Sequence, residues 1–311
     1  MRQSILYSEI DKKLEKSLEQ LQIMDPFFYS EMETIYEIIK GMDYLSYEGL
    51  VKGPLPYISK EETLFIASEF LEKCNPKYKS KFIDDYKKGK ITISEEKRSI
   101  VGWNTNTLEY NVGIHDYHTI ETAKDIVHEY FHVLNINQYA LRSSLTETVS
   151  LTAELMLLSF LKEKGYNDYD LNIMNQRRRN YLDNNLHFLK MMLPLYIEKK
   201  QKGYLTRELF EKIPSTAAIS KGNFEKNLKK VLDSNREDIY IYKYVLGYIH
   251  AKAFLARNIS FDSLSEINEL LKEGKFVEFE TQITGKDTPS TLCNYCTKED
   301  FSYKPKQYIK K

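Results

Sequence analysis

The chain has 311 residues, enough to bury a large core either as one unit or as two lobes. Its 45 Lys and Arg balance 45 Asp and Glu, so no global field draws it to nucleic acid or to an anionic membrane, and partners must be recognised locally. Three unevenly placed cysteines, Cys74, Cys293 and Cys296, exclude a disulfide framework and suggest a reducing compartment.

The opening stretch MRQSILYSEIDKKLEKSLEQ is charged and amphipathic, without the uninterrupted apolar run of a signal peptide. No segment reads as the roughly 20 apolar residues that a membrane span needs. A soluble, cytoplasmic protein is expected.

In chain order, apolar residues recur at helical spacing (Ile5, Ile10, Leu14, Leu18, Leu21), break at Asp25-Pro26, and resume through Ile35, Ile38 and Ile39, which predicts a helical hairpin over residues 1 to about 48. Gly and Pro punctuate GLVKGPLPYISKEE, after which Ser59 is placed to cap a helix through Leu71, and another helix is predicted from Tyr78 to Lys88. Between about 91 and 114 the texture turns β-branched and aromatic: ITIS, SIVGW and TLEYNVGI, the last two joined by Asn104-Thr105-Asn106. A small sheet or hairpin is predicted there. Helical spacing returns from Ile120 almost to Lys275, in segments beginning near Thr119, Ser144, Asn172, Thr206, Asn223, Asp238 and Asp262. The fold class expected is therefore mainly α with a minor sheet. The polar, Lys-rich stretch from Thr288 to Lys311 reads as a tail, and its Cys293-x-x-Cys296 resembles half of a zinc ribbon without a second Cys or His pair nearby.

The chemistry concentrates in DIVHEYFHVLN. His128 and His132 lie four apart on a predicted helix, so their rings project from one face a turn apart and can grip one ion. Glu129, rotated by one residue, can reach the open coordination position and accept a proton from water there. A bound ion lowers the pKa of that water from about 15.7 towards 7, so a carboxylate suffices as the base. Chance alone gives this pattern in on the order of one such chain in a hundred.

Two histidines leave a third ligand to find. The next predicted helix, SLTETVSLTAELMLLSFL, offers Glu147 and Glu154, seven apart and hence nearly on one face among mostly apolar or small positions. Carboxylates facing a core need a partner, which metal or imidazole would supply. The alternative for Glu147 is a capping box, since Ser144-Leu145-Thr146-Glu147 fits S-x-x-E at a helix start. That alternative leaves Glu154 unexplained.

With these blocks the sequence resembles the oligoendopeptidase F and thimet oligopeptidase family of zinc peptidases. The family pairs HExxH with a later helix reading E-x-x-S-x-x-x-E, matched here by Glu147-Thr148-Val149-Ser150-Leu151-Thr152-Ala153-Glu154. Its Tyr-rich segment, near FYVYKYxxG in the oligoendopeptidase F branch, is matched by Ile239-Tyr240-Ile241-Tyr242-Lys243-Tyr244-Val245-Leu246-Gly247. KGKITI, the run from KRSIVGW to TLEYNVGI, and KGYLTRELFEKI carry weaker similarity, and together the blocks span roughly residues 60 to 280. The resemblance implies a zincin-like helical fold of the gluzincin type, one zinc ion (Zn2+) held by His128, His132 and Glu147, and Glu129 as general base. It also implies a tyrosine, Tyr242 with Tyr240 and Tyr244 as neighbours, that donates to the oxyanion. Spaced by two, these three tyrosines cannot all face one side of a helix. Glu154 is expected to orient a ligand histidine.

The sequence departs from the family in three ways. The interval from His132 to Glu147 is short, the family's catalytic His before the Tyr block has no equivalent in LDSNREDIYIYKY, and the chain is about half the usual length, the shortfall lying in the N-terminal lobe. The domain reading is 1–90 helical, 91–287 catalytic and 288–311 tail.

Among other residues, His115 and His118 precede the active helix and can line a cleft or be solvated, while His187 and His250 sit in helical runs where packing is the ordinary role. Arg177, Arg178 and Arg179 can bind a peptide carboxylate, although three consecutive residues fan around a helix and leave most of the run on the surface. The expected function is hydrolysis of extended oligopeptides, with substrate backbone pairing along Thr107–Ile114. The alternatives are a processing protease or effector acting on one protein partner, and a non-catalytic zinc-bound scaffold. An intact Glu129 argues against the scaffold. Neither nucleic acid nor membrane is an expected partner.

Overall fold

The structure is a computed structural model that describes residues 15–16, 18–23, 26–41, 54–104, 106–136, 143–202, 242–258 and 260–296. Its elements in chain order are α1 (Pro26–Gly41), α2 (Lys60–Cys74), α3 (Pro76–Lys87), β1 (Ile91–Ser94), β2 (Ile100–Trp103), β3 (Tyr110–His115), α4 (Ile120–Leu134), α5 (Ser143–Glu163), α6 (Asp168–Lys202), α7 (Tyr242–Leu255), α8 (Phe261–Lys272), α9 (Phe276–Thr284) and α10 (Pro289–Leu292), followed by a 3-10 turn at Cys293–Tyr295. The protein is thus mainly α with one small sheet. The helices expected near Thr206 and Asn223 lie outside the described residues, as do residues 1–14 of the N-terminal hairpin, while the helix expected from near Asp238 is described from Tyr242 onward.

Two compact units divide the chain: residues 50–178 with 247–288, and residues 1–49 with 179–246 and 289–311. The first carries the sheet and one continuous apolar core, in which Phe70, Phe82, Ile114, Val127, Phe131, Val149, Leu157, Phe254 and Leu264 are almost wholly buried. Truncating a side chain such as Phe131 to Ala there would cost about 3–5 kcal/mol.

Local signals set the helix starts. Ser59 accepts from the Glu62 N–H to cap α2, and Asn75 caps α3 by accepting from the Lys77 N–H just before Pro76. Thr119 caps α4, and Ser260 caps α8. The loop before α4 is tied down as well: Asp116 accepts from the His118 N–H and from the Thr122 hydroxyl, while His118 itself adopts φ 53°, a left-handed conformation. One face of α4 buries Ile120, Ala123, Ile126, Val127, Tyr130, Phe131, Val133 and Leu134. This leaves Glu121, Lys124, Asp125, His128, Glu129 and His132 on the other.

Helix α5 is buried almost all round despite its threonines, because Thr148 and Thr152 donate back to the carbonyls of Ser144 and Thr148 at 2.9 and 2.7 Å. Residues 144–163 are long and apolar enough to cross a membrane by length and composition, yet they are mostly buried within the protein, as for a core helix.

The sheet has the order β1-β3-β2, with β1 parallel and β2 antiparallel to β3. The β2–β3 connection turns through Asn104, whose Oδ1 accepts from the Asn106 and Thr107 N–H groups, so the strand starts at Tyr110 and not at Thr107. Gly113 is required where it stands: a Cβ would meet the Arg98 carbonyl oxygen at 2.9 Å. Position β3 contradicts the expectation that substrate pairs along Thr107–Ile114. Tyr110–His115 is the central strand, with both of its edges already used by β1 and β2.

In the second unit, Met32, Ile35 and Ile38 of α1 are fully buried, as are Leu186 and Leu189 of α6. Residues 289–296, expected as the start of a polar tail, form two short helical turns whose Leu292, Cys293 and Cys296 are buried. The rest, 297–311, lies outside the described residues.

Candidate metal centre

Helices α4 and α5 pack along their lengths and bring three side chains to a point. His128 Nε2 and His132 Nε2 approach to 3.2 Å, and Glu147 Oε2 stands 3.3 Å from the first and 3.6 Å from the second. A tetrahedral ion with bonds of about 2.0–2.1 Å holds its ligand atoms about 3.3 Å apart, so the donor set fits zinc in both spacing and chemistry. Among the described residues this is the only group of three or more His, Cys, Asp and Glu side chains able to hold an ion.

The periodicity of α5 builds the rest. Glu147, Ser150 and Glu154 fall at i, i+3 and i+7 and form one stripe facing α4. Glu154 Oε1 meets His128 Nδ1 at 2.6 Å, and Ser150 Oγ meets His132 Nδ1 at 3.3 Å. Each imidazole is thereby held by its far nitrogen, leaving Nε2 for an ion. Ser144 sits inside α5 and not at its N-cap, and the Glu147 carboxylate reaches towards the histidines, so a capping box does not account for it.

Electrostatics follow from burial and pairing. Burial disfavours charge on Glu147, but His132 and His128 outweigh it and hold the carboxyl well below its usual range. Burial also opposes protonation of His128, and Glu147 and Glu154 overcome this to raise its pKa well above the ordinary value. Glu154 is likewise pushed up by burial, then drawn down to about 2, chiefly by Lys124 and His128, with Arg178 adding to the pull. Lys124 loses by desolvation but is held charged by Asp125, Glu154 and Glu121. Glu129 differs from all of these. Burial raises its pKa and the adjacent His128 and His132 only partly offset it, so it leans towards taking a proton.

The remaining sequence candidates lie elsewhere. His118 Nε2 pairs with Glu95 at 2.7 Å, and His115 Nδ1 contacts the Lys97 carbonyl at 3.0 Å. Burial alone lowers His250 to about 4. Arg177 binds Glu121 at 2.9 Å, Arg178 lies 5.4 Å over the Tyr248 ring, and Arg179 pairs with Asp183. Tyr242 and Tyr244 belong to the second unit, where Tyr242 donates to Glu31 Oε2 at 3.0 Å and Tyr244 makes an edge contact with Tyr181. Tyr240, the side chain of His187 and the stretch 137–142 between α4 and α5 fall outside the described residues. Cys293 donates to the Thr34 and Pro289 carbonyls, and burial pushes its thiol up to about 12. Neither Cys293 nor Cys296 belongs to a group that can hold an ion.

Sequence reasoning placed Ser150 in the motif without a role, read Arg178 only as one of a basic run, and missed Lys124, which had no signal in spacing or type. The role of Ser150 was legible from its place as the middle member of the i, i+3, i+7 stripe. Comparison with protein-family models, with curated proteins and with solved structures finds no match to this chain.

Proposed function

We propose that the protein is a zinc-dependent peptidase that hydrolyses extended peptides, with a zincin-like arrangement in which His128, His132 and Glu147 hold the ion and Glu129 is the general base. The convergence of two imidazole nitrogens and one carboxylate oxygen within 3.2–3.6 Å of one another carries this reading. Three protein ligands leave a fourth position for water, the pattern of catalytic and not structural sites. A bound zinc ion supplies Lewis acidity there, polarising the scissile carbonyl and bringing the pKa of water near about 7.

The chain's own residues do the rest. Glu129, neighbour in sequence to one ligand, accepts the proton of the attacking water and passes it to the leaving amine. Glu154 and Ser150 fix the orientation of the two imidazoles so that neither turns away from the ion. A carboxylate such as Glu129, placed beside two ligands on α4 and able to act as a general base, serves a catalyst and has no use in a passive zinc scaffold, which favours the enzyme reading. The tyrosine donor comes from the resemblance alone, and Tyr242 would have to give up Glu31 to serve it.

An extended substrate pairs with a sheet edge, and among the described residues β2 is one with no further strand beside it. On the opposite side, Lys60 Nζ takes the Ile93 carbonyl of β1 at 3.2 Å, a common way to close an edge. On β2, Ile100 and Trp103 are 60% and 49% exposed. Ser99, which leads into β2, hydrogen-bonds Asp125, one helical turn before Glu129 on the same face of α4. A peptide laid along β2 would run over that face with its backbone paired and alternate side chains free to select residues.

The deciding experiment is digestion of a peptide library before and after chelation, with elemental analysis of protein purified without added metal. The expected result is one zinc per chain and cleavage that stops with chelator and returns with zinc. Protein that carries no zinc and gains no cleavage on adding it would refute the reading. Trp103, the only tryptophan, gives an independent probe of the binding edge: its fluorescence should change when a peptide binds the Glu129→Gln variant.

A further inference from the structure

On the reading that His128, His132 and Glu147 hold a metal ion, we infer that Gly247 is a positioning residue for that site. Its missing side chain lets α7 seat directly on α5 at Glu147, and that seat fixes where the ligand carboxylate stands.

A Cβ placed on Gly247 would lie 3.0 Å from Glu147 Cβ, 3.0 Å from the Thr148 backbone nitrogen and 3.1 Å from the Glu147 carbonyl carbon. All three are backbone atoms or the first atom of a side chain, so no rotamer change relieves them. One helix must move by a few tenths of an ångström. Neither has room to move freely. Tyr248, Ile249, Ala251 and Phe254 of α7 are at most 1% exposed, and Thr148, Val149 and Ser150 of α5 are fully buried. Metal–ligand bonds tolerate only about 0.2 Å, so a shift of that size at Glu147 is felt by the ion before it is felt by the fold.

The residue type supports the same reading. Glycine within a helix is disfavoured relative to alanine, so helix formation alone selects against it at position 247. The close approach to Glu147 is what requires it. The expected signature separates two effects: Gly247→Ala favours the helix while it disturbs the ligand.

The test uses the full chain stripped of metal, with zinc affinity read by competition against a chromogenic chelator and thermal unfolding followed with and without zinc. Gly247→Ala should weaken zinc about 10-fold or more and shrink the zinc-induced rise in Tm, with little change in the metal-free Tm. Ala253→Val overpacks the same helix on a different face and should leave zinc affinity within about threefold, whatever it does to the metal-free Tm. Should Gly247→Ala fail to fold, hydrogen exchange on the unaltered chain replaces it, and zinc should then slow exchange in α7 around Gly247 as well as in α5. If the parent binds zinc and Gly247→Ala binds it equally well, or zinc protects α5 but not α7, the inference is overturned while the metal site stands. If the parent takes up no zinc, the metal reading falls and this inference with it.

Discussion

Two polar clusters hang on opposite faces of α4 and differ in kind. Tyr130 lies between His128 and His132 in sequence, but two residues turn a helix by about 200°, so it points into the core while they point away. There Asp85 Oδ2 accepts from Tyr130 at 2.9 Å, from Tyr110 at 2.6 Å and from Lys81 at 2.7 Å. Burial alone would raise the Asp85 pKa, and the three donors bring it below the ordinary value. This cluster is closed: donors and acceptor satisfy one another and tie α3, β3 and α4 together. Across the helix, two imidazole nitrogens and a carboxylate oxygen converge on one point, 3.2–3.6 Å from one another. The difference teaches that burial and perturbed ionisation do not by themselves mark a functional site. What marks one is a set of electron-pair donors aimed at a common point.

The comparison predicts separable effects, the largest at the open cluster. Glu129→Gln should keep zinc and lose about 10²- to 10⁴-fold in turnover, because the amide preserves shape but accepts no proton. His128→Ala should lose the metal itself. Elemental analysis beside steady-state kinetics reads both, and wild-type turnover in Glu129→Gln would remove it as the base.

Next come the two carboxylates of α5. Glu147→Ala should weaken zinc more than Glu154→Ala does, and the latter should cost about 10- to 100-fold, as expected when only the orientation of a ligand is lost. A chelator competition on both variants decides, and the reverse order would exchange their roles.

The closed cluster should respond in stability and not in metal. Asp85→Asn should destabilise the fold by about 1–3 kcal/mol, because buried Tyr130 and its neighbours lose a charged acceptor, while zinc affinity stays unchanged. The sign with pH follows from a carboxyl whose folded pKa is depressed. Its contribution is complete above the unfolded value of about 3.9 and disappears as pH falls through the lower folded value. Denaturant titrations at pH 6 and pH 3 should therefore show the gap between parent and variant narrowing in acid. A gap that widens would mean that Asp85 is not held as the anion.

The smallest effect is expected at Ser150→Ala, a few-fold loss in zinc affinity, since a 3.3 Å contact to His132 Nδ1 is a weaker tether than the 2.6 Å contact of Glu154 to His128. An effect equal to that of Glu154→Ala would show that the two tethers are equivalent.

Much of the site is legible in the sequence. The residues of α4, with Thr119 as cap and an apolar stripe from Ile120 to Leu134, declare a helix, and HExxH on it puts two imidazoles on one face by geometry alone. The stripe Glu147, Ser150, Glu154 declares a second helix with one polar face. Such features depend on contacts within a few residues, which periodicity encodes directly. Sequence also suggested a small sheet over 91–114, but not which strand would be central, because strand order is set by pairing between segments and not by the pattern within any one of them. Only the tertiary structure decided that β3 is the central strand and that, among the described residues, β2 is an edge. It alone also brought Lys124 and Arg178 to Glu154, Tyr242 to Glu31, Asp85 to Tyr130 and Gly247 against Glu147. Each of these joins residues far apart along the chain, or on faces that only packing brings together, and no local period in the sequence records such a meeting.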